Sequence, residues 1–137
     1  MRVFLDTNVI MDTLIPGRPS SDVSSLIVSS DLSDKISFSI SALSVADIVY
    51  SCRKYYPKED ILSRIDFFQQ NWRILELSAF SIYHALNSKC PDFEDALQID
   101  MAEGDCDVIV TNNVKHFRGY TALEVVTPQE FLEKIRR

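Results

Sequence analysis

The chain has few cysteines and no long apolar run. It contains three cysteines and three glycines among 137 residues. An odd number of widely spaced cysteines, with no Cys-x-x-Cys pair, argues against a disulfide framework or a zinc site, so free thiols in or near the core are expected. No apolar run approaches the roughly 20 residues of a membrane-spanning helix. The N-terminus carries one early arginine and then Asp6, which is not the pattern of a signal peptide, and we expect a cytoplasmic protein.

The chain also lacks an excess of positive charge. It has 14 Lys and Arg against 20 Asp and Glu, a net charge of −6. A protein that binds nucleic acid through its overall field would be basic. Any contact with nucleic acid must therefore come through a bound metal, local basic patches or a partner. An acidic chain also suits a basic protein partner.

Apolar runs alternate with helical patterns along the chain, which predicts an α/β fold: one α/β/α domain, residues 1–137, with a central, mainly parallel sheet of about five strands. Hydrophobic residues make up 46% of the sequence, enough for a core at this length. Strand patterns lie at residues 3–5, 36–40, 74–77, 107–110 and 123–126. Helical patterns lie at residues 9–15, 20–32, 41–52, 57–68, 78–88, 93–103, 114–117 and 127–135, the one from 93 ending at Gly104 and the last opening with a capping box.

Asp6 follows the first strand pattern directly and precedes a helix start. In open α/β sheets, ligands bind at the carboxyl ends of the strands. Thr7 and Asn8 offer a hydroxyl and an amide at the same edge. The plainer interpretation is that Asp6 only caps the following helix, and this stretch alone leaves both open.

Further acidic residues fall near the starts of predicted helices. Asp47 stands among apolar neighbours in the helix after the second strand, where an unpaired buried carboxylate would be costly, so it either has a partner or faces solvent. Asp92 and Asp95 open a helix at i and i+3 and share one face. Taken separately, these two are more simply explained as capping residues.

Several carboxylates in one place would need a cation. Hard divalent ions such as Mg²⁺ prefer carboxylate oxygens, and the only histidines, His84 and His116, form no cluster for a softer metal. A Mg²⁺ held by Asp6 and Asp95 would activate a water and offset the charge of a scissile phosphate.

Four stretches stand in a recognisable order and spacing. They are residues 4–9 (FLDTNV), 40–47 (ISALSVAD), 92–98 (DFEDALQ) and 108–117 (VIVTNNVKHF). Together they resemble the PIN-domain nucleases, including the VapC-type toxins, over nearly the whole chain. The resemblance implies a five-stranded parallel sheet with helices on both sides, and Mg²⁺- or Mn²⁺-dependent cleavage of RNA.

The resemblance also assigns residues. The first metal-binding aspartate of the family falls on Asp6, its second acidic residue on Asp47 and its third on Asp95. Asp92 is an extra acid of this subgroup. Thr111 matches the threonine that precedes the last acidic position.

Two positions depart from the family pattern. Asp47 is one methylene shorter than the usual Glu. The last acidic position is not acidic, because Asn113 occupies it and His116 stands where a Lys-Asp-Phe variant would carry Asp. An asparagine contributes no charge, so we expect at most one well-bound ion and weak or conditional activity.

In the expected mechanism, water attacks the phosphorus while the carboxylates position it and accept its proton. Asn8, Thr111 and Asn113 would hydrogen-bond to ligands or to the phosphate. Lys115 and Arg118 are candidate phosphate contacts, although a plain solubility role is as good an interpretation. The expected partners are RNA and a small antitoxin whose segment fills the acidic groove. Dimers are common in the family, and the sequence leaves open whether this chain forms one.

Two other functions stay open at this point. A strand that ends in Asp also opens the haloacid-dehalogenase-like phosphatases, but a second Asp is expected two residues later, and Asn8 stands there. The missing fourth acid alternatively suggests a non-catalytic module that binds RNA or protein.

Overall fold

A parallel sheet forms the centre of the protein. The computed structural model describes residues 1–29 and 35–136. Across these residues the sheet has five strands, all parallel to their neighbours, in the order β3-β2-β1-β4-β5. The strands are β1 (Arg2–Leu5), β2 (Ser37–Ser41), β3 (Arg73–Leu75), β4 (Val108–Val110) and β5 (Glu124–Val126). The predicted mainly parallel sheet is confirmed.

Helices connect the strands and cover both faces of the sheet. The described helices are α1 (Thr7–Leu14), α2 (Ser21–Ser29), α3 (Ala42–Cys52), α4 (Lys58–Asn71), α5 (Ala79–Leu86), α6 (Phe93–Asp105), α7 (Val114–Phe117) and α8 (Pro128–Ile135). None of them is both long and apolar enough to cross a bilayer.

The alternation of side chains along β1 builds two cores. Val3 and Leu5 pack on one face of the sheet with apolar residues of α1, α2, α3, α4 and α8. Phe4 points to the opposite face and packs with residues of α5, α6 and α7. Because successive residues of a strand face opposite sides, a three-residue apolar run serves both layers. The predicted α/β/α arrangement is confirmed, and the three cysteines are free and buried, as expected.

Several element ends differ from the sequence-based expectation. Gly104 does not end the helix that begins at Phe93, and this prediction was wrong: α6 continues to Asp105. A glycine ends a helix when it adopts a left-handed conformation, and among the described residues only Gly17 and Gly119 have positive φ. The third strand ends at Leu75, not at residue 77, because its partner β2 ends at Ser41, which is paired with Leu75. The predicted extension of the second helix to residue 32 lies outside the described residues.

Side chains cap the starts of α3 and α8. Ser41 accepts a hydrogen bond from the backbone N–H of Ser44 (2.9 Å) at the start of α3. Thr127 and Glu130 form the predicted capping box of α8. Each cap lies at the carboxyl end of a strand: Ser41 is the last residue of β2, and Thr127 directly follows β5.

A buried carboxylate ties the first two helices to the end of β4. The Asp12 side chain of α1 is only 4% exposed. It accepts hydrogen bonds from Arg18 Nε (3.2 Å), Ser24 Oγ (3.0 Å) and Asn112 Nδ2 (2.7 Å). The partners come from a turn, from α2 and from the loop after β4, so one side chain sets the relative position of three segments.

Replacing Asp12 with alanine should lower the free energy of unfolding by about 3 kcal/mol, since the buried donors of Ser24 and Asn112 lose their acceptor. Urea unfolding of Asp12→Ala measures this loss. Asp22→Ala, which removes an exposed aspartate of α2, should cost only a few tenths of a kcal/mol. Equal losses in the two variants would show that Asp12 does not organise this corner.

Candidate active site

A groove rich in carboxylates lies at the carboxyl ends of the central strands. Its volume is about 460 Å³. We call it the acidic groove; it is lined by Asp6, Thr7, Asn8, Met11, Ile15, Arg18, Asp47, Ser51, Asp92, Glu94, Asp95, Gln98, Asn113 and His116. The four predicted acidic residues, 6, 47, 92 and 95, therefore reach one groove from β1, α3 and α6, although up to 89 positions separate them along the chain.

Asp6 both caps α1 and lines the acidic groove, so the two interpretations of this residue hold together. Its side chain is 7% exposed. Oδ1 accepts a hydrogen bond from the backbone N–H of Thr7 (2.8 Å), and Oδ2 accepts from Thr111 Oγ1 (2.7 Å) and Asn8 Nδ2 (3.0 Å). The pKa of Asp6 is raised from 3.8 to about 6, because burial, with a smaller contribution from the charge of Asp95, outweighs the three hydrogen bonds that lower it.

The polar residues after β4 hold this arrangement from behind. Asn8 accepts a hydrogen bond from the backbone N–H of Asn112 through its Oδ1 (3.2 Å). Thr111 is fully buried and accepts one from the backbone N–H of Asn113 through Oγ1 (3.0 Å). The ends of β1 and β4 are thus linked by side chains as well as by the sheet, and the Asn113 side chain remains exposed at the groove.

Asp92 and Asp95 form the acidic start of α6. Asp92 is the N-cap and accepts a hydrogen bond from the backbone N–H of Asp95 (2.8 Å), so the capping interpretation is right for Asp92. Asp95 is half-buried, and its Oδ2 lies 3.3 Å from His116 Nδ1. Burial and the charge of Asp92 raise the pKa of Asp95, while His116 lowers it.

Asp47 and Glu94 form a pair of carboxyl groups across the groove. The hydrogen bond between them, followed by burial and by the negative charges of Asp47, Asp92 and Asp95, raises the pKa of Glu94 from 4.5 to about 7. The Glu94 carboxyl group is therefore partly protonated near neutral pH. Asp47 is therefore half-buried and has Glu94 as its partner. Of the two interpretations of Asp47, a partner or exposure to solvent, the first applies.

Glu94 was missed by the sequence analysis, which treated it only as a residue inside a motif. Consecutive helix positions point about 100° apart, so Glu94 was not expected to join Asp95 at one site. The start of α6 lies in the groove, and Glu94 reaches Asp47 of α3 while Asp95 acts on Asp6. Only the approach of two helices that are distant in sequence shows this.

A second missed feature is a buried polar network under Thr7. Thr7 Oγ1 lies 2.6 Å from Ser44 Oγ, and Gln98 Nε2 donates to both oxygens (3.3 and 3.1 Å). Gln98 is 2% exposed, and its Oε1 is buried without a hydrogen-bond partner among the described residues. Gln98 stands one helical turn after Asp95, so the shared helix face was a signal that could have revealed it.

Lys115 and Arg118 do not line the acidic groove. Arg118 Nε and Nη2 donate to the carbonyl oxygen of Val125 (3.1 and 2.9 Å), and Nη2 also pairs with Glu130. Lys115 is exposed on α7. The guanidinium group that does line the groove belongs to Arg18.

The donor atoms of the acidic groove fit a hard divalent cation. They are carboxylate, amide and hydroxyl oxygens, the ligands that Mg²⁺ prefers. Three hydrogen bonds occupy the Asp6 carboxylate, which offers about four lone-pair sites, so a site remains on Oδ1. Within residues 1–29 and 35–136, no three His, Cys, Asp or Glu side chains already converge as a metal cluster. The arrangement suits one ion that keeps several waters.

Comparisons with known proteins agree with the fold. A family model described as "PIN domain" matches residues 2–115. No curated protein sequence matches this chain. Among solved structures, VapBC2 from Rickettsia felis, bound to a promoter DNA fragment, is 23% identical with a TM-score of 0.67, covering 93% of this chain and 98% of that one.

Two further structures are similar at lower identity. FitAB bound to an IR36 DNA fragment is 20% identical with a TM-score of 0.68, covering 92% and 94% of the two chains. VapBC-1 from nontypeable Haemophilus influenzae is 18% identical with a TM-score of 0.64, covering 94% and 99%. At these identities the likeness concerns the fold.

The raised pKa values predict that the protein without metal is more stable in mild acid. Asp6 and Glu94 bind protons more tightly when folded, so their stabilising effect is full below their ordinary pKa values and is lost as pH rises through about 6 and about 7. The free energy of unfolding should fall between about pH 4 and pH 7, and Asp6→Asn should remove about 3 kcal/mol of that fall. Urea unfolding in EDTA at several pH values measures it.

Asp107→Asn is the matched control, because hydrogen bonds with Arg2 lower the pKa of Asp107. This substitution should remove stability at every pH above about 4 and leave the fall between pH 4 and pH 7 unchanged. Wild-type and Asp6→Asn proteins with the same pH dependence would contradict the expected burial of the Asp6 charge.

Proposed function

The chain belongs to the PIN-domain family, and we propose that it is a metal-dependent endoribonuclease, the toxin of a toxin–antitoxin pair. The observation that carries this proposal is the meeting of the carboxyl groups of Asp6, Asp47, Glu94 and Asp95 in one groove. If these carboxyl groups lay on separate faces of the protein, they could not act together on one phosphodiester bond. The pKa values of Asp6 and Asp95 are raised mainly by burial and that of Glu94 mainly by its hydrogen bond with Asp47, with neighbouring negative charges adding to all three. The ionised carboxylates are therefore disfavoured, and a divalent cation would offset this.

The residues divide into supporting and reacting groups. Asp6 and Asp95 are the proposed ligands of Mg²⁺ or Mn²⁺, which when bound supplies an activated water and offsets the charge of the scissile phosphate. Asn8 and Thr111 hold the Asp6 carboxylate in place through Oδ2. Asp92 orients the start of α6, so Asp95 is presented from a capped helix end.

The Glu94–Asp47 pair is placed to move protons. A group is an effective general acid or base when its pKa lies near the working pH, and the pKa of Glu94 is about 7 because of its hydrogen bond with Asp47. We propose that this pair accepts the proton of the attacking water and returns one to the leaving oxygen. Asp47 is one methylene shorter than the usual Glu, and its hydrogen bond with Glu94 brings a second carboxyl group to the same part of the groove.

An antitoxin is the proposed protein partner. A toxin–antitoxin complex from Klebsiella pneumoniae is among the similar solved structures, and we extend that assembly to this chain. A basic segment of the antitoxin would fit the acidic groove by charge and would block access of RNA. A homodimer likewise stays a prediction.

A non-catalytic module that binds RNA or protein is the second candidate. The exposed Asn113 in place of a fourth acid, and the lack of a three-residue metal cluster among the described residues, favour it. Titration with Mn²⁺ to millimolar concentrations separates the two, because a module of this kind would bind no ion. The phosphatase alternative loses its support, since Asn8 donates to Asp6 and the family match is to PIN domains.

Asp6→Asn should reduce cleavage of single-stranded RNA in Mg²⁺ or Mn²⁺ by at least about 100-fold, because the groove loses a ligand charge. Product formation on labelled RNA, with EDTA as the metal-free reference, measures the loss. Asp22→Asn makes the same change on the exposed face of α2 and should cleave like the wild type. Equal activity of Asp6→Asn and the wild type would remove Asp6 from the mechanism.

Asn113→Asp should tighten Mn²⁺ binding by roughly tenfold, since affinity for hard cations rises with the number of carboxylates. Isothermal titration with Mn²⁺ measures it. His116→Asp is the matched variant: it adds the same charge at the other candidate position but removes the neighbour that lowers the pKa of Asp95. Tighter binding in Asn113→Asp alone would identify the fourth acidic position, and unchanged binding in both variants would contradict a charge-limited metal site.

A further inference from the structure

We propose that Arg18 anchors a backbone phosphate of the RNA strand in the acidic groove through the Nη atoms of its guanidinium group. This inference rests on the proposed function, because it assumes that RNA enters the groove. It assigns the phosphate contact to a residue that the sequence patterns did not single out.

Arg18 supplies positive charge where the groove lacks it. Among the described residues that line the groove, Arg18 is the only arginine or lysine, against five carboxylates. The other candidate cation, His116, lies against Asp95. A nucleic-acid strand brings one negative charge per nucleotide, and contacts to its phosphates set the position of the strand on a protein. A strand that passes through this groove therefore needs a cationic contact, and Arg18 offers one.

The guanidinium group of Arg18 is held on one edge and open on the others. Its Nε donates to Asp12 Oδ1 (3.2 Å), while the side chain is 35% exposed. No described residue forms a hydrogen bond with Nη1 or Nη2. Arginine has five N–H donors in a rigid planar fork, so the Nη atoms keep a pair of donors suited to a phosphate. Asp12 thus acts as a buried support that orients the group without using its outer edge.

The backbone also fixes where Arg18 stands. Gly17, immediately before it, has φ of +80°, a left-handed conformation that glycine adopts at little cost. The carbonyl oxygen of Arg18 accepts a hydrogen bond from the backbone N–H of Ser21 (3.2 Å) at the start of α2. The turn brings the side chain back towards α1, six residues earlier, where Asp12 receives it.

Arg18 is paired with a carboxylate that does not line the acidic groove. Its ion pair is formed with Asp12, which is absent from the groove lining, and not with one of the groove carboxylates. Arg18 therefore does not pair with the proposed metal ligands, and it suits a phosphate that neighbours the scissile one.

Binding of a fluorescein-labelled 12-nucleotide single-stranded RNA, followed by anisotropy with Ca²⁺ in place of Mg²⁺, tests the proposal. Arg18→Gln should weaken binding roughly tenfold, the loss expected for a charge-assisted pair of hydrogen bonds. The slope of log Kd against log salt should fall by about 0.7, one phosphate contact on a single strand. Arg18→Lys should keep the salt slope and show an intermediate affinity.

Arg73→Gln is the matched control. It removes the same charge and also breaks an ion pair, with Asp105 (3.4 Å), at the opposite edge of the sheet. It should leave RNA affinity and salt slope unchanged. Thermal unfolding of all variants separates folding from binding. An Arg18→Gln protein that loses stability but keeps RNA affinity and salt slope overturns the proposal, as does a wild type that binds no RNA. A wild type that binds RNA through Arg18 but never cleaves it would contradict the nuclease function alone.

Discussion

The carboxylate of Asp6 is buried at the carboxyl edge of a parallel sheet, and the surrounding structure depends on keeping it there. Burying a charge is costly unless hydrogen bonds offset the lost hydration. The backbone N–H of Thr7 and the side chains of Asn8 and Thr111 supply three such bonds. They do not offset the cost fully, because burial still raises the pKa of Asp6 to about 6. The groove therefore favours positive charge, and the three hydrogen bonds lower the cost of burying the Asp6 carboxylate.

The register of the sheet is what makes this support available. Leu5 pairs with Val110, and the backbone N–H of Asp6 donates to the carbonyl oxygen of Val110 (3.0 Å). This pairing places Asp6 beside Thr111, the residue that follows β4. A shift of one residue would turn every side chain of β1 to the other face, exchanging Phe4 with its neighbours and removing Thr111 from Asp6. Core packing and site geometry are thus set by the same hydrogen bonds.

Much of the fold could be predicted from sequence because buried parallel strands are short apolar runs with clear helix signals between them. Residues 108–110 and the capping box at Thr127 are examples. Asp6 and Asp95 could be predicted as groove residues because polar groups at strand ends and helix starts meet at one edge. The contributions of Glu94 and Arg18 could not. Glu94 acts through the approach of α3 to α6, and Arg18 through a turn that folds back on Asp12, and neither leaves a local periodic pattern.

The departure at Asn113 has a physical logic within this groove. Five carboxylates already line it, and their mutual repulsion adds to the Asp47 hydrogen bond and burial in raising the pKa of Glu94, and to burial in raising that of Asp95. A sixth acid at position 113 would raise this cost whenever no cation is present, so an amide there favours the stability of the metal-free protein. The same amide weakens the attraction for a cation. Because the pKa of Glu94 is about 7 and that of Asp6 about 6, a cation that bound these groups would displace protons, and its binding would depend on pH.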